Sequence, residues 1–219
     1  RERLKRFLIL LEPAAILAAR TLEWYSFRKF DGVYTMADPY QYRVEPCEVR
    51  RLDLARSWLA DRTYRTALEV GCAEGAFTER LAPLCGRLTA TDLSAAALAR
   101  ARAAADRPNI EWRREGAWRT ITVARGLDLL VIGEVLSYLT GEYTALRSLI
   151  RLSLEPYAHL CVRAVEPGGR LFLTNQFALT GARLVEGTVR GFSATFAGAG
   201  FVPEREVKRF LALFDKEFQ

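Results

Sequence analysis

Short apolar runs of strand length alternate along this chain with longer stretches in which apolar residues recur every three or four positions. The strand-like runs are Ala67-Leu68-Glu69-Val70, residues 87–91, residues 109–114, residues 127–132 and residues 170–174. In the third, Ile110 and Trp112 alternate with polar residues. The fourth, LDLLVI, is almost wholly apolar, as a central parallel strand covered on both faces must be. Between them lie helical patterns. Residues 46–59 carry Val49, Leu52, Ala55 and Leu59 on one face, which leaves Glu48 and Arg51 on the surface or in a cleft. A helix starts near Ala76. Residues 95–105 follow Ser94, a good N-cap. Residues 142–164 read as a helix broken at Pro156, and residues 188–199 as a last helix ending at Gly200. The tail, residues 201–218, suits two strands. Strands alternating with helices imply right-handed crossovers. The expected fold is therefore α/β: a Rossmann-like doubly wound sheet, mostly parallel, closed by a C-terminal antiparallel strand.

Ahead of this domain (residues 30–219), residues 1–29 read as a helical appendage, with helices over 2–11 and 14–28 separated at Glu12-Pro13. The opening RERLKR-FLILL imitates a secretory signal, but Glu12 and Pro13 interrupt the apolar run far short of a membrane span. Amphipathic helices packing on the domain or on a second copy are the expectation, so a homo-oligomer through this segment stays open. Residues 30–42, rich in aromatics and turn formers, form a linker.

At 219 residues, half hydrophobic and about a quarter charged, the chain has the composition of an ordinary globular protein. The net charge of +6 changes little, because the basic residues are scattered and no run of them is longer than a pair. A nucleic-acid partner is not expected, nor a membrane. Cys47, Cys72, Cys85 and Cys161 show no CxxC spacing and there is a single histidine, so no metal site is expected and a reducing cytoplasm is the simplest setting.

Candidate chemistry centres on Thr66–Arg80, TALEVGCAEGAFTER. A strand, a glycine turn and a helix start form the unit that holds nucleotide-like ligands. The second and third glycines of the dinucleotide fingerprint are replaced by Ala73 and Ala76, and Glu74 would set a carboxylate beside a pyrophosphate. No Gly-Lys-Ser/Thr follows. A ligand without phosphate and with a positive centre fits better, with Glu69 at the strand end facing it. Asp92 ends the second strand 92 − 71 = 21 residues after Gly71, close to the spacing of an acid that accepts from ribose hydroxyls.

Glu69/Gly71/Gly75, Asp92, residues 128–138 and Pro167-Gly168-Gly169 resemble, in order and spacing, the motifs of class I S-adenosylmethionine-dependent methyltransferases. The resemblance implies S-adenosyl-L-methionine as cofactor: Gly71 and Gly75 admitting it, Glu69 orienting the methionyl part, Asp92 on the ribose and Arg51 on the methionyl carboxylate. Gly116 stands where the family often has an Asp near the adenine amino group, so Leu93, Gly116, Ala117 and Trp118 would serve the ring, with Gly133 at the end of the fourth strand completing the set. Glu134 and Tyr138 would face the acceptor, one of them taking its proton. Phe30-Asp31 with Tyr34, Asp38-Pro39-Tyr40, Glu48 with Arg51, and residues 133–139 resemble more narrowly the nodulation protein S group, which N-methylates an amino sugar. That implies a small-molecule amine acceptor. O-methylation of a hydroxyl, and a non-catalytic domain that binds the cofactor for a partner, stay open. His159 is expected to be structural or on the surface, and Asn175 and Gln176 to hydrogen-bond a polar acceptor.

Overall fold

The computed structural model describes residues 30–139 and 147–174, with the backbone alone at 137, 138 and 147–155. The expectations for residues 1–29, for the last helix and C-terminal hairpin, for Asn175 and Gln176, and for the Tyr138 side chain fall outside the described residues. Five strands form one parallel sheet in the order β3-β2-β1-β4-β5. They are β1 (Tyr64–Val70), β2 (Cys85–Asp92), β3 (Ile110–Arg114), β4 (Leu127–Gly133) and β5 (Val165–Thr174). The helices are α1 (Pro46–Leu59), α2 (Thr78–Leu81, continued by a 3-10 turn, Ala82–Leu84), α3 (Ala95–Ala104), α4 (Ala117–Val123), α5 (Leu136–Leu139) and α6 (Arg147–Ala164).

The side-chain period of a strand divides the core between two faces. Leu68, Val70, Leu130 and Ile132 point to one face, where α4 and α6 add Trp118, Ile121, Tyr157, Leu160 and Cys161. Ala67, Leu88, Leu129 and Val131 point to the other, beneath Leu52, Ala55 and Leu59 of α1 and Phe77 and Leu81 around α2. Residues 129–132 are at most 1% exposed, and burying each such side chain contributes roughly 1.5–3 kcal/mol. Because the chain winds outward from β1 in both directions, β1 and β4 are neighbours whose connections leave on opposite sides. Their carboxyl ends therefore flank a crevice, the usual ligand position in such sheets.

Three elements differ from the expectations drawn from sequence. α4 was not expected; its seven residues, AWRTITV, are rich in β-branched and aromatic side chains that mask a helical period, yet Trp118, Thr120 and Ile121 are buried. α6 runs through Pro156 without breaking, since Tyr157, Ala158, Leu160, Cys161 and Ala164 hold the following turns against the sheet. β5 begins at Val165, and Pro167-Gly168-Gly169 is an irregularity within it rather than a turn ahead of it: Leu127 pairs with Val165 while Leu129 pairs with Arg170. No helix among the described residues is long and apolar enough to cross a membrane.

Candidate active site

The turn after β1 is built from three left-handed residues: Gly71 (φ 80°), Ala73 (φ 49°) and Gly75 (φ 78°). It is tied to the end of β2, since the N–H groups of Gly71 and Cys72 donate to the Thr91 carbonyl (2.9 and 3.0 Å) and that of Ala73 to Asp92 Oδ2 (2.9 Å). A side chain on Gly71 would come within 2.9 Å of the Gly133 carbonyl and closer still to Val135. One on Gly75 would press on Trp112 and Ala101, at 3.0 and 3.1 Å. The two glycines thus serve backbone conformation and the protein's own close packing. Of the two glycines expected to admit a ligand, Gly71 lines the crevice, whereas Gly75 is buried between α3 and β3.

Ala73 does what the family assigns to a glycine. A left-handed alanine costs about 1–2 kcal/mol, but its methyl is buried against Tyr34 and Ala97. Replacing it by glycine relieves that strain, loses a methyl worth ~0.8 kcal/mol and adds about 0.4–1 kcal/mol of unfolded-chain entropy. These nearly cancel. Urea unfolding of Ala73→Gly should lie within about 1 kcal/mol of the parent; a loss of twice that would show that the methyl supports more than it strains.

Glu69 is 3% exposed and accepts a hydrogen bond from Thr78 Oγ1 at 2.7 Å. Burial pushes its carboxyl up to about 7; the Thr78 bond opposes the shift and the Asp92 charge adds to it. Asp92 is also held above the usual carboxylate range by burial, against the hydrogen bonds it accepts from the N–H groups of Ser94 (2.8 Å) and Ala73. One bond to each oxygen leaves acceptor capacity on both for a ligand's hydroxyls.

The crevice, about 410 Å³ and open to solvent, is lined on one side by Tyr42, Arg51, Leu52 and Ala55 and on the other by Glu69, Gly71, Cys72, Ala73, Gly133, Glu134 and Thr174. Sequence reasoning missed Tyr42, Cys72 and Thr174 as lining residues. It noted Glu48 and Arg51 without joining them to Glu134. Arg51 Nε and Nη2 both donate to Glu48 Oε2 (2.9 and 2.7 Å), and Nη1 donates to Glu134 Oε1 (2.9 Å). The Tyr42 ring lies 5.6 Å from the guanidinium. Glu134 holds φ 58°, rare for a residue with a side chain, with its N–H on the Thr174 carbonyl at 2.8 Å. The expectation that Arg51 takes a methionyl carboxylate therefore meets two carboxylates already on its guanidinium.

Glu74 faces away from the crevice. It accepts from the Asp38 N–H with both oxygens and from Arg100 Nε at 2.6 Å, while Arg100 Nη2 reaches the carbonyls of Tyr34 and Met36. These bonds clasp the aromatic linker over the turn, where Tyr40 stacks on Tyr42 at 5.5 Å and meets Tyr34 edge-on. On the β3 side stands Trp118, expected beside the cofactor ring. Its ring is 2% exposed and lies edge-to-face on Tyr157 at 4.9 Å, so it belongs to the core. Gly116 and Ala117 are buried at the start of α4 and Leu93 is half-buried beside Asp92. His159 is exposed on α6, as expected.

A parallel sheet of this order, with an acid at the end of β1, a left-handed turn, a second acid at the end of β2 and a crevice at the switch point, has the Rossmann-like fold of class I methyltransferases. Within that class the chain belongs to the nodulation protein S (NodS) family, whose model matches residues 33–158. Nodulation protein S of Bradyrhizobium diazoefficiens is 38% identical over 120 residues, 52% of this chain and 57% of that one. The Sinorhizobium fredii protein of the same name is 37% identical over 128 residues, 56% and 58% of the two chains. This chain thus spans somewhat over half the length of these relatives. The crystal structure of N-methyltransferase NodS from Bradyrhizobium japonicum WM9 in complex with S-adenosyl-L-homocysteine matches with a TM-score of 0.61 and 27% identity, over 77% of this chain and 85% of that one.

Proposed function

We propose that this chain transfers the methyl group of S-adenosyl-L-methionine to the nitrogen of a small-molecule amine. The observation that carries the reading is the charge of the crevice: Glu69 and Glu134 line it, and Arg51, the one arginine among the described residues of its wall, is shared between Glu134 and Glu48. A pyrophosphate would be repelled there. A sulfonium and an ammonium suit it, since a unit charge pair 4 Å apart is worth roughly 4 kcal/mol near a protein surface. Asp92, with acceptor capacity on both oxygens, suits a ribose. The residues therefore fit this cofactor, with Glu69 toward the methionyl end, Asp92 on the sugar, and Gly71, Gly133, Leu93, Gly116 and Ala117 around it.

When bound, S-adenosylmethionine supplies an electrophilic methyl on a sulfonium. The protein's part is to align the acceptor nitrogen with that methyl and to receive the proton the nitrogen sheds. Glu134, its N–H on the Thr174 carbonyl and its carboxylate on Arg51, holds the ammonium and takes its proton; Tyr138, on the same connection after β4, is the second candidate to receive it. The amine lone pair would take the methyl and the carbon–sulfur pair would return to sulfur, so the transfer would conserve charge.

The basic surplus does not argue for nucleic acid. Arg65, Arg80, Arg87, Arg113, Arg114 and Arg170 are each paired with a local carboxylate, consistent with a small-molecule partner. All four cysteines are free thiols, consistent with a reducing cytoplasmic setting. Residues 1–29 are the segment we assign to packing on the domain or on a second copy. Incubation with methyl-labelled cofactor and a panel of amino sugars, simple amines, phenols and sugar hydroxyls tests the assignment. Label is expected on amines; label on hydroxyls alone would overturn the acceptor class. At saturating cofactor, Glu134→Gln should lower turnover, and unchanged turnover would remove Glu134 as the base.

A further inference from the structure

Glu48 lies on the far side of Arg51 from the crevice. It and Arg51 are 5% and 6% exposed, whereas the Glu134 side chain, across the same guanidinium, is 18% exposed and lines the crevice. Burying a carboxylate costs several kcal/mol and is tolerated when geometry and hydrogen bonding are good. Here Glu48 Oε2 accepts from two nitrogens of one planar fork, Nε at 2.9 Å and Nη2 at 2.7 Å. Two bonds into one plane fix the rotation of the guanidinium as well as its position. The Tyr42 ring supports the same fork at 5.6 Å. With that plane fixed, the two N–H groups of Nη1 point along fixed directions within it, and Glu134 Oε1 accepts from Nη1 at 2.9 Å. The i,i+3 spacing of Glu48 and Arg51 puts both on one side of α1, so the pair forms as the helix forms.

We propose that Glu48 is a positioning residue for the reaction: it locks the Arg51 guanidinium in the plane that pins the Glu134 carboxylate at the crevice mouth. Arg51 then serves the acceptor side of the site, and α1, which contributes no strand to the sheet, sets the aim of a group on the β4 connection. The kinetic part of this proposal rests on the methyl-transfer reading above; the geometric part does not.

A double-mutant cycle tests it on the full chain. Glu48→Gln keeps the side chain's shape and removes its charge. It should lower kcat at saturating cofactor and acceptor roughly a hundredfold, the scale of small misplacements transmitted to a reacting centre. The dissociation constant of S-adenosylhomocysteine, measured by calorimetry, should stay within about threefold, because the cofactor side is untouched. In an Arg51→Met background Glu48→Gln should lower kcat no further, since its effect on Glu134 passes through Arg51. In parallel, the Arg51 Nε–H resonance in a nitrogen–proton spectrum should be resolved and protected in the parent and lost in Glu48→Gln. Unchanged kcat, additive losses in the cycle, a retained Nε–H signal, or a loss confined to cofactor affinity would each overturn the proposal. Should Glu48→Gln fail to fold, Glu48→Asp, which keeps the charge, carries the same cycle with a smaller expected loss. If the parent chain methylates no acceptor, the methyl-transfer reading fails by itself and the Nε–H signal still decides the geometry.

Discussion

Replacing Asp92 by alanine should abolish S-adenosylhomocysteine binding within the range calorimetry can reach, and should also destabilise the chain. The carboxylate serves two purposes. Inward, it accepts the N–H groups of Ala73 and Ser94, holding a strained left-handed alanine at the end of β1 and the start of α3. Each of the two donors left unsatisfied costs about 1–3 kcal/mol, so unfolding in urea should show a loss of roughly 2–6 kcal/mol. Outward, the remaining acceptor capacity would take the ribose hydroxyls, and hydrogen bonds to a charged group contribute about 1.5–3 kcal/mol each. Losing even one of these, with a turn that no longer holds its shape, weakens binding about a hundredfold or more. Asp92→Asn should be milder in stability, because the amide oxygen still accepts one N–H, yet it turns a donor toward the other. Binding of the alanine variant within threefold of the parent would remove Asp92 from the ligand's contacts.

The second large effect is a pH dependence from Glu69. Its carboxyl is pushed from 4.5 up to about 7, with burial the main cause. The native state therefore holds a proton that the unfolded chain has lost between those two values, and stability falls as pH rises. The contribution is fully present below pH 4.5 and is lost as pH passes through 7. That rise in the Glu69 pKa corresponds to roughly 3 kcal/mol. A cation in the crevice reverses the preference, because it favours the ionised carboxyl. Affinity for S-adenosylmethionine should then rise between pH 5.5 and 7.5, with release of about one proton at the acid end of that range. Urea unfolding at several pH values gives the first slope, and calorimetry in buffers of different ionisation heat counts the protons. Glu69→Gln should flatten both. If the variant kept the same slopes, another group would be titrating.

Most of the fold was legible because each strand declares itself by period and each boundary by a turn residue. α1 was expected over the residues it occupies, Ser94 caps α3 as its side chain suggested, and the β1 and β2 carboxyl ends carry Glu69 and Asp92 where the spacing put them. What was not legible depends on tertiary contact. Whether Gly75 faces a ligand or a neighbouring helix is decided by Ala101, 26 residues away, and not by the turn it sits in. Trp118 read as a ring-stacking residue because an aromatic after β3 is suggestive; a short, β-branched helix turned it into the core. The pairing of Arg51 with Glu134 joins residues 83 apart. Periodicity is silent about such pairs, and the only local sign was that Glu48 and Arg51 lie off the apolar stripe of their own helix. Glu74, which argued against a pyrophosphate, is instead turned from the crevice and committed to Arg100 and the Asp38 N–H, so its charge does not reach a ligand there.

S-adenosylmethionine and its product are proposed to sit in the crevice at the ends of β1 and β4, with Asp92 at the end of the neighbouring β2. Calorimetric titration of the intact chain with S-adenosylhomocysteine at pH 7.5 tests it most directly. Saturable binding of one ligand per chain, lost in Asp92→Ala while Ala73→Gly retains it, is the expected result. No heat of binding at millimolar ligand, from a chain that unfolds cooperatively and is therefore folded, would contradict the account.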